Sequence, residues 1–472
     1  MSMTRDLAQL HDKQFDVLIV GGGIYGVWAA WDAALRGLSV ALIEKGDFGS
    51  ATSSNSLKII HGGLRYLQHA DFKRMRESIL ERRALMRVAP QFVHPMKCVM
   101  PTYGHWLKGK EVMAVALCIN DLVGFDRNRL PDPQKRLPRG RVISAGEVKA
   151  LMPDIDDTNL TGGAVWYDCQ VYNSERMLFS ILRFAVEHGA VAANYVEMVR
   201  FMRNEDRITG VLAKDGLSGE EFEIRARLVV NNGGPWFRAL LERLNGNVKK
   251  PEVGLSAAMN LVVKKRLFPE FAAGVWSRTS FDDADAVLSK GSRLLFITPW
   301  REFSLVGTAH VPYVGSPDEF RISRSDIEEF VAEVNSAYPR AEIKPEDVTF
   351  VYAGLLPMDG VNEKSGDVRL LKNYRIIDHE QDSALKGLVT VVGVKYTTAR
   401  DVAEKTLDLV AAKLQARAVP CQTAETPIFG GDIADFTGFT FRQKARLAGA
   451  YSPETVEHLV LNYGSEYPRV LS

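Results

Sequence analysis

The chain has 472 residues, 46% hydrophobic and 25% charged, with 59 Lys and Arg against 58 Asp and Glu. That length suits about three domain-sized units, and the composition excludes a disordered tail, a collagen-like fibre and a disulfide-framed miniprotein. A net charge of +1 gives no field to draw in nucleic acid; the mixed-charge N-terminus reads as neither signal nor transit peptide, and Cys98, Cys118, Cys169 and Cys421 lack metal or disulfide spacing, so a cytoplasmic α/β protein without a metal site is expected.

In chain order, residues 15–20 (FDVLIV) read as a buried parallel strand. Gly21-Gly22-Gly23-Ile24-Tyr25-Gly26 follows, then a helix over 27–36 stopped by Gly37, and a second strand over 38–43 ending at Glu44. Residues 50–68 form a loop of small and hydroxylic residues, and 71–90 an amphipathic helix. From 97 to 141 the pattern turns irregular and basic, as in an insertion or loop region. Its apolar stretch, 112–119, is eight residues where about 20 span a bilayer. The run 106–122 suits a core helix or one resting on a membrane surface, and the basic stretch 135–141 a solvated loop or a contact with anionic lipid. Helical periodicity returns at 174–188, with strands at 191–196 and within 198–230 before Asn232-Gly233-Gly234-Pro235-Trp236. Residues 255–315 alternate as in an antiparallel sheet, a helix spans 324–337, and strands fall at 348–352 and 388–392. A last nucleotide-type helix covers 399–414, and 415–472 read as helical and separate. The strand–helix units are scattered, so a nucleotide domain built from discontinuous segments is expected.

Gly21-x-Gly23-x-x-Gly26 between strand and helix is the context of a dinucleotide turn. Gly21 allows the tight turn, Gly23 the approach of a pyrophosphate and Gly26 close helix packing, with the anion at the helix N-terminus. Glu44 suits ribose hydroxyls and would repel a 2′-phosphate. The turn alone does not separate FAD from NAD. Hydroxyls at 51–55, and a second helix start behind Gly393 with Lys395 beside it, favour a flavin, whose reduced ring is anionic. In His61-Gly62-Gly63-Leu64-Arg65-Tyr66 the glycines let backbone approach a planar ring, and Arg65 offers a fork for phosphate or carboxylate. His61 reads equally as a hydrogen-bonded structural histidine.

On the strings DVLIVGGGIYG (16–26), ATSSNSLKIIHGGLRYLQ (51–68), WYDCQVYNSERML (166–178), VVNNGGPW (229–236), FSLVGTAHVPY (303–313) and GVKYTTARDVAEKTLDLV (393–410), the chain resembles the FAD-dependent glycerol-3-phosphate dehydrogenases of the D-amino-acid-oxidase-like flavoprotein group. The resemblance implies an α/β fold: a glutathione-reductase-type FAD domain at 1–96, 150–250 and 350–414, a substrate domain with an antiparallel sheet at 97–149 and 251–349, and a shortened helical cap at 415–472. It implies hydride transfer from C2 of glycerol 3-phosphate to flavin N5, with electrons passed to quinone in members peripheral to a membrane. Carried onto this sequence, Arg65 and Tyr66 meet the substrate and Lys395 lies beside the flavin. The cofactor contacts implied fall on Gly21, Gly23, Gly26, Glu44, Lys45, Thr52, Ser53, Ser54, Gly63, Leu64, Val196, Gly233, Trp236, Lys395 and Thr397.

Four positions depart from the family pattern. Leu356 stands where an arginine is expected beside the substrate, Asn260 where a histidine is expected, Thr308-Ala309-His310 where Thr-Thr-Asp is usual, and Lys372 where a second anion-binding arginine falls. Replacing Arg by Leu removes a cation and up to five donors, a loss of about 2–5 kcal/mol for a bound phosphate that Lys372 offsets only in part. The expectation is a divergent flavoenzyme on glycerol 3-phosphate or a related polyol, with His310 or His61 as replacement base. A different substrate (amine, hydroxy acid or sugar) and a flavin-bound non-enzyme are the alternatives.

Overall fold

The run QFDVLIV becomes the central strand, Gln14–Val20, of an eight-stranded sheet in the computed structural model, which describes residues 3–105, 109–244, 251–280, 292–362 and 367–472. Apolar side chains on both faces suit a parallel strand covered from two sides. Val17 sits opposite Val40 of Val40–Ile43 and Leu228 of Glu221–Asn231, both parallel to it. Leu388–Val392 and Val191–Ala193 extend the parallel set, and an antiparallel strand, Arg375–Asp378, closes one edge. One face is covered by three helices, Ile24–Leu35, Ser174–Glu187 and Ala399–Leu414. Trp28 and Trp31 of the first are fully buried among Leu178, Ile181, Leu407 and Val410.

A second, ten-stranded and mainly antiparallel sheet has its middle in Gly254–Val263, Phe303–Tyr313 and Ser292–Trp300. Helix Arg324–Ala337, started by a Ser323–Asp326 capping box, covers it with Phe330, Val331 and Val334. Here the expected boundaries need correction. Leu160–Val171, expected in the FAD domain with the rest of 150–250, pairs along its whole length with Val93–Tyr103 in the second sheet. Ile59–Ile60, Val348–Val361 and Val368–Leu370 belong to the second sheet as well. Alternation along a strand shows that it is half-buried but not which sheet receives it, so burial against a different neighbour redrew these limits.

The stretch read as irregular holds a helix, Lys110–Val123, whose Val115 and Leu122 are exposed. Trp106 and Lys108 lie outside the described residues. Phe125, just beyond the helix, is exposed between the guanidiniums of Arg76 and Arg129, 5.3 and 5.7 Å from its ring. Lys135 does not sit in a solvated loop: it is buried, its ammonium 2.5 Å from each of the carbonyls of Pro90 and Val93. The C-terminal helices Phe436–Arg446 and Pro453–Tyr463 are not separate either. Asn173 donates to Asn462 at 2.9 Å, and Arg176 stacks 4.4 Å from the Tyr463 ring. Among the described residues no helix is long and apolar enough to cross a membrane.

Candidate active site

The glycine turn closes at the carboxyl ends of the parallel strands, where open α/β sheets bind ligands. Gly21 has φ +113°, and a Cβ there would lie 2.3 Å from the Asn232 carbonyl oxygen; one on Gly26 would lie 1.9 Å from the Gly21 carbonyl. The turn and the start of helix Ile24–Leu35 therefore fit together only as glycine. The Glu44 carboxylate accepts from the amides of Gly22 (2.7 Å) and Gly46 (2.9 Å), and its remaining lone pairs can still take a ribose hydroxyl. Of the three hydroxyls expected at the cofactor, only Ser53 meets the helix N-terminus, accepting from the Ile24 amide at 2.9 Å. Thr52 turns away to the Leu355 carbonyl, and Ser54 bonds to the carbonyls of Ser50 and Ala51, which the composition of the loop could not distinguish. The Val196 amide donates to the Glu44 carbonyl. Lys45, the next residue after Glu44, lies 3.8 Å from the centroid of the Trp236 ring, and both donate to Asp318.

These residues fit a dinucleotide. The side-chain oxygen of Asn232 is buried beside the turn with no partner among the described residues, and the space where Gly234 would carry a Cβ is open. A buried carbonyl without a partner is costly unless a ligand satisfies it.

The second loop, His61-Gly62-Gly63, is held from behind. Asp168 accepts from the Gly62 amide (2.5 Å), from Arg82 (2.7 Å) and, through its other oxygen, from the Trp166 indole (2.9 Å). A Cβ on Gly62 would sit 2.2 Å from Arg82, while Gly63 has φ +82°. The loop leads into a short 3-10 turn, Leu64–His69, carrying Arg65 and Tyr66. Arg82 and Asp168 were not recognised in the sequence; they lie 86 residues apart. Burial pushes His61 down to about 4, an effect that Asp168 opposes while Lys395, Arg65 and Arg82 add to it. The imidazole is therefore neutral near pH 7, and its Nε2 lies 3.4 Å from the Tyr66 hydroxyl.

Around Tyr66 the cations gather. The Lys395 ammonium lies 4.1 Å and the Arg74 guanidinium 4.8 Å from its ring centroid. Burial lowers Lys395 to about 8, with Arg74 and Arg65 pressing the same way and Glu77 and Asp71 opposing. Tyr25, unremarked in the sequence, ties the two nucleotide-type loops together. Its hydroxyl donates to the Lys395 carbonyl (2.7 Å) and accepts from the amides of Val394 (3.1 Å) and Lys395 (3.0 Å). A Cβ on Gly393 would strike the Tyr25 ring at 2.3 Å, so the glycine opening the second loop is the signal that could have revealed it. Thr397, two residues after Lys395, is buried.

The second sheet forms the facing wall. Ser256 pairs with Pro312 and Leu356, and Ala258 with His310 and Gly354, so Leu356 and His310 share a face in adjacent rows. Burial, with Arg65 and Arg293 adding, lowers His310 to about 3; its Nδ1 lies 3.5 Å from the Ser256 hydroxyl. Asn260 is buried and accepts from the Thr308 hydroxyl at 2.7 Å. The Leu371 amide donates to the Pro357 carbonyl, bringing Lys372 next to Leu356, and the Lys372 carbonyl accepts from Arg74 at 3.2 Å. The charge of Arg65, itself exposed, is felt at His61, Lys395 and His310. His61, Arg65, Tyr66 and Lys395 thus lie together, with His310 within reach of the Arg65 charge, while Lys45 and Trp236 meet each other at Asp318.

A family model described as FAD dependent oxidoreductase matches residues 16–394. The chain is 32% identical over 480 residues to a glycerol-3-phosphate dehydrogenase of Synechocystis sp., spanning 99% of this chain and 82% of that protein. To the human mitochondrial glycerol-3-phosphate dehydrogenase it is 30% identical over 96% of its own length but only 60% of the relative's. The solved structure of the Bacillus halodurans glycerol-3-phosphate dehydrogenase complexed with FAD superposes with a TM-score of 0.76 at 26% identity, covering 98% of this chain and 78% of that one. The chain belongs to the FAD dependent oxidoreductase family, among the glycerol-3-phosphate dehydrogenases.

Proposed function

We propose that the protein oxidises the secondary hydroxyl of glycerol 3-phosphate, giving dihydroxyacetone phosphate. One observation carries this reading: the Lys395 ammonium lies over the Tyr66 ring, where the charge of Arg65 is also felt, and a neutral histidine, His61, lies at the hydroxyl of that same ring. An anion holder beside a proton acceptor is what oxidation of a phosphorylated alcohol needs. The likeness to glycerol-3-phosphate dehydrogenases supports the same substrate.

FAD, when bound, supplies the two-electron acceptor for the hydride leaving C2. Gly21, Gly23, Gly26, Ser53, Glu44 and Asn232 would hold its dinucleotide, with Lys45 and Trp236 at the adenosine end. Arg65 and Lys395 bind the phosphate by charge-assisted hydrogen bonds. His61 Nε2 takes the proton of the C2 hydroxyl; a positioned base of this kind contributes about 10²–10⁴-fold. Asn260 and Thr308 orient a neighbouring hydroxyl, and Leu356 and Tyr66 exclude water. The Asp168–Arg82 pair keeps His61 in place.

The nucleotide-binding unit is read as built on the first sheet and the substrate unit on the second. The electron acceptor is read as a quinone reached at a membrane surface, supported by exposed Val115, Leu122 and Phe125 with Arg76 and Arg129 beside them. Anaerobic mixing of the yellow holoprotein with glycerol 3-phosphate tests the reaction: the flavin absorbance bleaches on the scale of turnover. Unchanged absorbance, with bleaching by an amine, hydroxy acid or free sugar instead, would overturn it.

A further inference from the structure

The geometry points to Arg74 as a specificity-determining residue that supplies, from the opposite wall, the guanidinium that Leu356 does not provide to an anionic substrate. The inference rests on the phosphorylated-alcohol reading above and names one more group that enforces it.

Position 356 lies on the strand Val348–Val361, and its neighbour Pro357 accepts from the Leu371 amide at 3.1 Å. The next residue, Lys372, presents its carbonyl to Nη1 of Arg74 at 3.2 Å. Arg74, in the first turn of the helix Phe72–Val88, therefore reaches the corner that a side chain at 356 would serve. Its side chain is only 10% exposed and is aimed rather than splayed: Nε bonds Asp71, the helix cap, at 2.6 Å, and the fork lies 4.8 Å from the Tyr66 ring centroid, the ring Lys395 approaches to 4.1 Å.

The charge count agrees. Arg65, Arg74 and Lys395 are three cations, and the acids acting on Lys395 are Asp71 and Glu77, the latter also facing Lys405 at 3.4 Å. One positive charge or more is left over, with Arg65 at the exposed edge of the group. A buried Arg74 and a half-buried Lys395, with the exposed Arg65 beside them, are an arrangement that a dianion relieves and a neutral polyol does not. Arg74 is also the group that, after burial, does most to depress Lys395. A guanidinium kept there solely to tie the helix to Lys372 would be opposed by that repulsion; one kept to meet phosphate would not.

The probe is inorganic phosphate, titrated into the FAD-loaded protein and followed by the flavin difference spectrum. Arg74→Gln is expected to weaken phosphate binding at least tenfold and to raise KM for glycerol 3-phosphate by a similar factor, with kcat changed less than threefold. Arg74→Lys, which keeps the charge but loses the fork, is expected to fall between, about three- to tenfold weaker than the parent. Phosphate affinity within twofold of the parent in Arg74→Gln overturns the inference, whatever happens to thermal stability. If that variant does not load FAD, the same titration on Arg74→Lys decides, and parental affinity there overturns it. Failure of glycerol 3-phosphate to bleach the parent's flavin would sink the substrate reading alone, because the phosphate titration does not depend on turnover.

Discussion

Removing the carboxylate behind the His61 loop should be one of the most damaging single changes near the site. Asp168 pairs with Arg82 at 2.7 Å, and the side chains are 10% and 3% exposed. Asp168→Ala leaves a buried guanidinium unpaired, which costs about 3–5 kcal/mol. It also strips the Gly62 amide and the Trp166 indole of their acceptor. Water entering the space left by the carboxylate recovers part of that, so about 4 kcal/mol is expected overall. In Asp168→Ala with Arg82→Leu no charge is stranded; the two donors, and the Tyr167 carbonyl that accepts from Arg82 at 2.8 Å, lose a partner, at about 2 kcal/mol together. The double variant is therefore more stable than the single by about 2 kcal/mol, an inversion that independent sites do not show. Urea unfolding of the FAD-saturated protein, followed by circular dichroism, measures each step. A single-variant cost below 1 kcal/mol, or a double variant costing the sum of its parts, refutes the buried-pair argument.

Other expectations concern the reacting groups. His61→Gln should slow anaerobic flavin reduction about 10²–10⁴-fold, whereas His310→Gln should slow it much less; equal effects would remove His61 as the base. Because burial holds His61 near 4, flavin reduction should be flat from pH 5.5 to 7.5, and a step near 6.5 would contradict its burial. Lys395, held near 8, loses its proton above that pH, so kcat/KM for the anionic substrate should fall between pH 8 and 9.5 and the fall should vanish in Lys395→Arg. The stability sign is opposite: the unfolded chain keeps the lysine proton up to about 10.5, so the Lys395 contribution to stability grows as pH rises from 8 to 10.5, and Lys395→Met should flatten that slope. Tyr25→Phe leaves the Val394 and Lys395 amides without their acceptor and should weaken FAD binding about 10–100-fold, read by release of flavin fluorescence on dilution.

What the sequence made legible follows from the range of the forces involved. Helices Arg324–Ala337 and Ala399–Leu414 and strand Leu388–Val392 stand where residue pattern puts them, because capping, periodicity and β-branching act over a few residues. The glycine turn was legible for the same reason: strand, three glycines and helix are contiguous. The two-sheet partition was not, since Leu160–Val171 is held by pairing to Val93–Tyr103, some 65 residues away, and an alternating strand carries no mark of its partner. Lys135 looked like a loop cation because only tertiary packing decides whether an ammonium meets water or two carbonyls. The site divides along the same line. Arg65, Tyr66 and Lys395 stand in distinctive local strings, whereas Arg74 sits among the other basic residues of an amphipathic helix and was indistinguishable from its solvated neighbours. Its distinction is that Arg76 and Arg83 on the same helix turn to Asp126, while Arg74 turns inward to Asp71, Tyr66 and the Lys372 carbonyl. A departure such as Leu356 therefore says that one contact is missing from one strand. Whether the anion site as a whole has lost its charge depends on every wall around it, and here the helix wall carries a cation at the corner where the strand has none.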